Sequence, residues 1–446
     1  MVLLLAWVTF PGGGVYPWVW IPAACAVLVL ALFVRPQIAR DERVRPVDVM
    51  LLISGLAIAA QLVPLPYSLL HAIDPHVVPL RAAVWLLPPA ADVEALRVSI
   101  SIAPRDTLAA LGVFSAAALL FWTCRTICEG GGAGRIVRAV AMIGLVASVA
   151  AIVQRVESKE LLYGIWRPVD AGALPYGPFV NRNHFATWII MACPLVFGYL
   201  LARAPSKRLQ HLSQRVVTAL KHLGSMRIWL VAAVCVMTLA MLISTSRSGL
   251  IGLIGAMTVS AWLSRKRQGP DVWRWTIFQG ALLVLVAISF ANFDALMARF
   301  DETLKASGPG RGRTAIRGDA KKVINDFPIT GTGAGTFGTA VAIYQTSEPG
   351  YSIGNAHNHY LQLVAEGGAL VAVPAALALG TFLALFLSRL SEDRTSDYLM
   401  RAGAAAGLAG VLLQSFWETG LRMPANAMLF AVLAAIATHA PIRAAD

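Results

Sequence analysis

The sequence is dominated by long apolar runs, several of them close to the length of a membrane crossing. A helix needs about 20 apolar residues to cross the hydrocarbon core of a bilayer. The chain is therefore predicted to be an all-α polytopic membrane protein, with a single integral membrane domain over residues 1–446. The predicted spans lie near 17–34, 48–63, 107–124, 136–153, 184–203, 228–244, 248–263, 276–292, 367–388, 399–416 and 423–440.

Composition excludes several classes of protein. The 446 residues are 57% hydrophobic and 14% charged, whereas ordinary soluble domains carry roughly 25% charged residues. A soluble enzyme, a disordered chain and a secreted disulfide scaffold are excluded on this ground. Residues 1–10 are also apolar, and counting them as a short first span gives a prediction of about 12 transmembrane helices.

The distribution of Lys and Arg predicts the orientation. Five short loops contain 20 of these residues, and the short loops on the other side contain 2. By the positive-inside rule the first set faces the cytoplasm. The basic loops are 35–47, 125–138, 203–227, 264–275 and 389–401.

Three long loops fall on the exported face, at 64–106, 154–183 and 293–356, and together they carry 14 Lys and Arg. Basic exported loops suggest an anionic partner such as a phosphate; the alternative is that they are solvated or pair with lipid head groups. We expect the segment 293–366 between the late spans to be a large periplasmic loop that carries part of an active site. No nucleic-acid recognition fold is present, so the net charge of +13 does not indicate that partner.

A polar block, Asn181-Arg182-Asn183-His184, stands where a loop enters a predicted span. Polar residues at a membrane boundary are costly unless they are partnered or hydrated. Arg182 and His184 are therefore candidate substrate-binding residues. The alternative is a helix N-cap formed by Asn181 or Asn183, with Arg182 reaching the interface.

A second block, Ser246-Arg247-Ser248-Gly249, is an exported turn between two apolar runs. An arginine deep in the bilayer would cost about 3 kcal/mol, so we expect Arg247 to lie at the membrane edge, facing a cavity. The alternative is a simple interfacial anchor.

A third block contains Arg311, Arg313 and Arg317 in a Gly-rich segment that enters a predicted amphipathic helix. Backbone N–H groups at a helix start, together with guanidinium groups, form an anion site. The alternative is a solvated basic face.

A fourth block, Asn355-Ala-His357-Asn358-His359-Tyr360, leads directly into a long apolar run. The two histidines are two residues apart, whereas a paired metal site on a helix prefers a spacing of four. A histidine of ordinary pKa is a ready general base, which makes His357 the candidate catalytic residue. The alternative is a structural histidine bonded within the loop.

Taken together, the blocks indicate one chemistry. Arginines can hold a diphosphate and offset the charge that develops on it as a leaving group. A histidine can take the proton of an attacking hydroxyl. The sequence thus predicts group transfer from a lipid-linked diphosphate donor at the outer face, with no cofactor and no metal.

The blocks NRNHFA at 181–186, SRSG at 246–249 and GTGAGTF at 331–337 resemble recurring blocks of the O-antigen ligase and O-antigen polymerase superfamily of bacterial envelope proteins. The resemblance covers roughly residues 170–420.

Its most specific element is His357-Asn358, followed after nine residues by Gly368. The family usually continues with a small residue or Tyr three positions further on, where this chain has Val371.

The resemblance implies a metal-independent, inverting glycosyltransferase of the C-type helical fold in lipopolysaccharide biosynthesis. It would move a glycan from undecaprenyl pyrophosphate to lipid A–core oligosaccharide at the periplasmic face of the bacterial inner membrane, among membrane lipids. Carried over by position, His357 is the motif histidine, and Arg182, Arg247 and Arg313 hold the pyrophosphate. Neighbours with weaker claims to substrate binding are Arg311, Arg317, His184, His359 and Tyr360.

Three other functions stay open. An O-antigen or exopolysaccharide polymerase would use a second lipid-linked repeat unit as acceptor, and a protein O-oligosaccharyltransferase would use a protein. A membrane transporter belongs to a different class, and it would place polar residues and broken helices near the middle of the bilayer. In this sequence the polar groups gather at the exported ends of the predicted spans, which favours interfacial chemistry.

Overall fold

The computed structural model describes residues 1–83, 97–157, 160–169, 173–203, 225–265, 312–346, 353–395 and 397–440. These residues are mostly α-helical. The helices are α1 Val2–Thr9, α2 Pro17–Val34, α3 Arg45–Ala60, α4 Tyr67–Ile73, α5 Val77–Ala83, α6 Pro104–Glu129, α7 Ala133–Glu157, α8 Arg182–Ala202, α9 Ser225–Ile243, α10 Arg247–Ser264, α11 Gly312–Asp326, α12 Phe337–Tyr344, α13 His359–Glu392, α14 Tyr398–Gln414 and α15 Pro424–Thr438. Two short strands, β1 Pro64–Pro66 and β2 Arg97–Ser99, pair antiparallel, with Pro64 opposite Ser99.

Six of the helices in the described part of the chain, α2, α6, α7, α8, α9 and α13, are long and apolar enough to cross a membrane by length and composition. The chain is therefore a multi-pass, all-α membrane protein. The helices at the predicted spans 48–63, 248–263, 399–416 and 423–440 are shorter or less apolar. The predicted span 276–292 lies outside the described residues, and the total of about 12 spans stays a prediction.

Helix α8 lies at the centre of the bundle, and almost every one of its side chains is buried. Glycines allow it to approach α14 closely. A Cβ atom on Gly198 would lie 2.4 Å from the carbonyl oxygen of Leu399, and one on Gly403 would lie 2.4 Å from that of Pro194. Small residues at such crossings are typical of helices packed within a membrane, because they let the backbones come into van der Waals contact.

The described parts of two predicted exported loops, 64–106 and 293–356, pack against each other. They form a second apolar cluster that includes Leu70, Phe327 and Phe337 and is separate from the main core. Backbone hydrogen bonding joins them as well, since the N–H of Ile102 donates to the carbonyl of Thr332. We call the residues 64–83, 97–103, 312–346 and 353–358 the cap.

Helix α13 begins at His359, whereas the sequence predicted a span from 367 and a loop that continued to 366. The first turns of this helix contact the cap, since the N–H of Thr332 donates to the carbonyl of Ala365, and the extent of the periplasmic loop, 293–366, stays a prediction. The helical conformation breaks at Gly368, which has φ 52° and ψ −161°. At the break, Ala369 and Leu370 donate backbone hydrogen bonds to Pro328 and Ile329. The break therefore fixes α13 to the cap.

Candidate active site

Three helices begin at the candidate site, and each starts with a polar N-cap. Asn181 caps α8 by accepting from the N–H of Asn183. Ser246 caps α10 and Asn358 caps α13, accepting from the N–H groups of Gly249 and Leu361. Asn and Ser are favoured at this position because their side chains satisfy an N–H group that the helix leaves unpaired. The helix N-cap at Asn181, which was the alternative interpretation of this block, is therefore present in the structure.

Asn183 joins two of these helix starts to the turn after α14. Its Nδ2 donates to Oε1 of Glu418 at 2.7 Å, and its Oδ1 accepts from Oγ of Ser246 at 2.8 Å. The neighbouring Arg182 donates from Nη1 to Oγ1 of Thr245 at 2.9 Å. The blocks around residues 182 and 246 are therefore in direct contact.

Arg313 reaches the same carboxylate from α11. Its Nη2 lies 2.9 Å from Oε1 of Glu418, whose side chain is 2% exposed, while that of Arg313 is 47% exposed. Burial raises the pKa of Glu418, and the pairing with Arg313 and the hydrogen bond from Asn183 oppose that rise. Glu418 thus binds Nη2 of Arg313, while nearly half of the Arg313 side chain stays exposed.

His357 lies beside Arg313 and Arg317 at the end of the cap. Nη2 of Arg317 donates to the carbonyl oxygens of His357 and Phe416, at 3.2 and 3.1 Å. Burial, and then the charges of Arg313 and Arg317, lower the pKa of His357 to about 4. The imidazole is consequently neutral at pH 7, which is the state that can accept a proton.

The backbone of His357 has φ 49°, in the left-handed region that a histidine rarely adopts. Strained backbone conformations persist where the surrounding structure holds them, often at functional sites. Here the hydrogen bond from Arg317 to the His357 carbonyl and the N-cap at Asn358 hold it from both sides.

Two further histidines lie near this point. His184 is close enough to His357 for their charges to interact, and His359 has the same relation to Arg422 and Glu366. In all three histidines Nδ1 is buried and has no hydrogen-bond partner among the described residues. The described residues therefore leave these three buried imidazole nitrogens without a hydrogen-bond partner.

Glu366 connects α13 to the Gly-rich turn at 331–336. Its carboxylate accepts from the N–H groups of Gly335 and Phe337 at 2.8 and 3.2 Å. Arg422 pairs with the same group. A carboxylate that accepts backbone N–H groups in this way anchors the turn, so the GTGAGTF block has a structural role here.

The structure brings most of the predicted site residues into one region. Arg182, Arg313, Arg317, His184 and His357 are linked by the contacts described above. Arg247 is the first residue of α10 and is exposed. The hydroxyl of Tyr360 already donates to the carbonyl of Leu412 at 2.7 Å, and its ring packs 4.8 Å from that of Phe416. Arg311 lies outside the described residues.

Sequence reasoning missed Glu418 and the bridging role of Asn183. Glu418 is the one acidic residue in the short predicted turn 417–424, directly between two apolar runs. A lone carboxylate at that position, opposite a face rich in arginine, is a signal that could have been used.

The cations that the described residues bring to this site are arginines. Within the described ranges, no three His, Cys, Asp or Glu side chains are grouped as metal ligands. Guanidinium groups form paired hydrogen bonds to phosphate oxygens, so the arrangement can bind an anion such as a diphosphate.

Comparison with known families finds a match, over the middle and late part of the chain. The family model described as O-antigen ligase matches residues 232–376 of this chain. This segment contains Arg247, Arg313, Arg317 and His357. The resemblance to the O-antigen ligase superfamily is therefore confirmed over that part of the chain. No curated protein matches the sequence.

The family gives the function in broad terms. The matched family is one of O-antigen ligases, which are glycosyltransferase-like enzymes, and the match supports a function of this type in broad terms. Such a function implies, in general, a lipid-linked glycan and a lipid acceptor.

Proposed function

We propose that this protein is an O-antigen ligase that transfers a glycan from undecaprenyl pyrophosphate to lipid A–core oligosaccharide. The reaction takes place at the periplasmic face of the bacterial inner membrane, with inversion at the anomeric carbon and without a metal ion. One observation carries the proposal: His357 is close enough to Arg313 and Arg317 for their charges, after burial, to lower its pKa to about 4, and Arg313 is itself held by the buried carboxylate of Glu418.

His357 acts as the general base. Its neutral imidazole takes the proton of an acceptor hydroxyl while the hydroxyl oxygen forms a bond to the anomeric carbon of the donor. The bond between that carbon and the diphosphate oxygen breaks, and undecaprenyl pyrophosphate leaves with the electron pair. Attack from the face opposite the leaving group inverts the configuration. General base catalysis of this kind contributes about 10²–10⁴-fold to the rate.

The arginines stabilise the leaving group. Negative charge builds on the diphosphate as the glycosidic bond breaks, and fixed guanidinium groups stabilise that charge without reorganising. Arg313 suits this role because Glu418 holds its position while nearly half of the side chain is exposed. Arg182, Arg247 and Arg317 complete the proposed diphosphate site, with Arg311, His184, His359 and Tyr360 as further substrate contacts.

A deletion strain tests the assignment. If the protein is the ligase, long glycan accumulates on undecaprenyl pyrophosphate and lipid A–core stays bare. Complementation with the wild-type chain restores the long glycan on lipid A–core, and His357→Asn, at equal membrane abundance, does not.

Other outcomes assign a different function. A lipid A–core that carries a single repeat unit in the deletion strain would identify the chain as the polymerase. Unchanged pools of both lipids would overturn the ligase assignment and direct the search to a protein or exopolysaccharide acceptor.

A further inference from the structure

A second basic region lies at the far end of the bundle from the candidate active site. Helix α8 begins at the site with Arg182 and ends at Ala202, and a 21-residue helix is about 31 Å long. At this far end the structure has a cavity of about 530 Å³ between the ends of α6, α7, α8, α9, α14 and α15. The loop distribution of Lys and Arg predicts that this end faces the cytoplasm.

Four arginines line the cavity: Arg135, Arg138, Arg203 and Arg227. The one carboxylate among its lining residues is Asp397, which is 3.8 Å from Arg203. Four guanidinium groups around one carboxylate repel one another, so an anion in the cavity would relieve that repulsion. Arginine is also the side chain that matches phosphate geometry best.

Several of these arginines are held in place by the protein. The guanidinium of Arg203 lies 5.4 Å above the ring of Tyr199. Arg227 donates to the backbone carbonyl of Arg203, and Nη1 of Arg138 is 3.8 Å from the sulfur of Met226. An arginine that served only as an interfacial anchor would extend into water or head groups, whereas these contacts keep the groups around a common space.

The apolar surroundings point to a lipid. Met226 lines the cavity and is 45% exposed, and Ile228 and Val231 on the same helix are 53% and 46% exposed. Helix α9 is one of the helices long and apolar enough to cross a membrane. A phospholipid at this position would place its phosphate among the arginines and its acyl chains along the exposed face of α9. Basic sites between transmembrane helices on the cytoplasmic side are suited to anionic head groups.

We propose that this cavity binds the phosphate head group of an anionic phospholipid from the cytoplasmic leaflet. The site is independent of the proposed glycan transfer. A bound lipid there would connect the ends of α7, α8 and α9 and so stabilise the bundle.

Native mass spectrometry of the full-length protein in detergent tests the proposal. The probes are phosphatidylglycerol, zwitterionic phosphatidylcholine and inorganic phosphate. We compare the wild type with Arg135→Gln/Arg138→Gln. The matched control is Arg40→Gln/Arg394→Gln, which removes two exposed arginines of the same predicted face that do not line the cavity.

We expect the wild type to retain phosphatidylglycerol in preference to phosphatidylcholine. The cavity variant should bind phosphatidylglycerol about 25-fold more weakly, which is about fivefold per arginine, or ~1 kcal/mol each. The control should stay within about twofold of the wild type. If the double variant does not fold, the single variant Arg135→Gln, at an exposed position, should show the fivefold loss.

Equal binding by the wild type and the cavity variants would overturn the proposal, as would an equal loss in the control. Displacement of the lipid from the wild type by millimolar inorganic phosphate would show that the arginines bind a free anion, and it would overturn the lipid assignment.

Discussion

Glu418 and Arg313 form an ion pair at 2.9 Å in which one partner is buried and the other is half exposed, at 2% and 47%. The two residues are 105 positions apart in the sequence, and their pair joins the turn after α14 to the start of α11. Because Asn183 donates to the same carboxylate oxygen, Glu418 also fixes the start of α8. The position of Arg313 at the candidate site therefore depends on a carboxylate that has little access to water.

Removing Arg313 should destabilise the protein through the charge it leaves on Glu418. We expect Arg313→Met to lower the free energy of unfolding by about 1–2 kcal/mol at pH 8. This is less than the full cost of a broken buried pair, because Arg313 is exposed and Asn183 remains as a donor. Thermal unfolding measures the change. Lys321→Met on the same helix is the matched control, and it should have little effect.

The same variant should show a defined pH dependence. Burial raises the pKa of Glu418 in the folded state, so the folded protein binds the proton more readily than the unfolded chain. Stability due to this group therefore falls as pH rises above the ordinary carboxyl range. Arg313 opposes the rise in the pKa of Glu418. Without Arg313 this pKa is higher still, so stability goes on falling to a higher pH. The loss of unfolding free energy caused by Arg313→Met should shrink towards pH 4. Adding Glu418→Gln to that variant should remove the loss at pH 8. A loss that does not depend on pH would contradict this account.

His357→Asn should abolish most transfer while the fold is kept. Asn tolerates φ 49° better than Ala does, so the variant removes the base without adding backbone strain. We expect a loss of about 10²–10⁴-fold in the transfer rate, the range of general base catalysis. The measurement is glycan transfer at equal amounts of protein, together with a thermal unfolding curve. Wild-type transfer by this variant would show that His357 is not the base.

The pH profile of the wild-type enzyme tests the state of the same imidazole. The pKa of His357 is lowered to about 4 by burial and by Arg313 and Arg317, so the group stays neutral down to that range. Transfer should then decline only as pH falls towards 4, rather than through the ordinary histidine value near 6.5. The pH dependence of kcat/KM, measured from pH 4 to 8, reports the enzyme without substrate and distinguishes the two. A half-maximal rate near pH 6.5 would be inconsistent with the environment described.

Gly368→Ala should be strongly destabilising. A Cβ atom there would lie 2.5 Å from the backbone N of Gly331 and from the carbonyl of Ile329, at a residue with φ 52°. Backbone strain and overpacking of this kind cost about 1–3 kcal/mol each. Gly380→Ala, in the same helix and with no atom within 4 Å of its added Cβ, should instead stabilise the helix by about 1 kcal/mol. Thermal unfolding of the two variants tests this contrast, and equal effects would contradict the geometry.

Arg317→Lys should lower activity more than stability. One guanidinium nitrogen, Nη2, bridges the carbonyls of His357 and Phe416, and a lysine ammonium does not reproduce the planar donor geometry. We expect a loss of about 10- to 150-fold in transfer, since one hydrogen bond to a charged group is worth about 1.5–3 kcal/mol. Lys321→Arg serves as the control on the same helix. Full activity of Arg317→Lys would indicate that the position of His357 does not depend on this bridge.

The sequence predicted the helical class because the bilayer imposes it: apolar runs of sufficient length must satisfy their backbone hydrogen bonds within one helix. It also offered an N-cap at Asn181 or Asn183 as the alternative for that block, because N-capping is a local property, and the structure has the cap at Asn181. It did not predict Glu418, whose partners Asn183 and Arg313 are distant in the chain. The start of α13 at His359 was missed for a similar reason, since its first turns are held by the cap.

Transfer by the purified protein is the most direct test of the central claim. The reconstituted wild type and His357→Asn are each given undecaprenyl-pyrophosphate-linked glycan and lipid A–core in the presence of a metal chelator. The account predicts that the wild type forms glycosylated lipid A–core and releases undecaprenyl pyrophosphate in equal amounts, while His357→Asn is slower by about 10²-fold or more. Equal rates for the two proteins, or no product from the wild type, would contradict it.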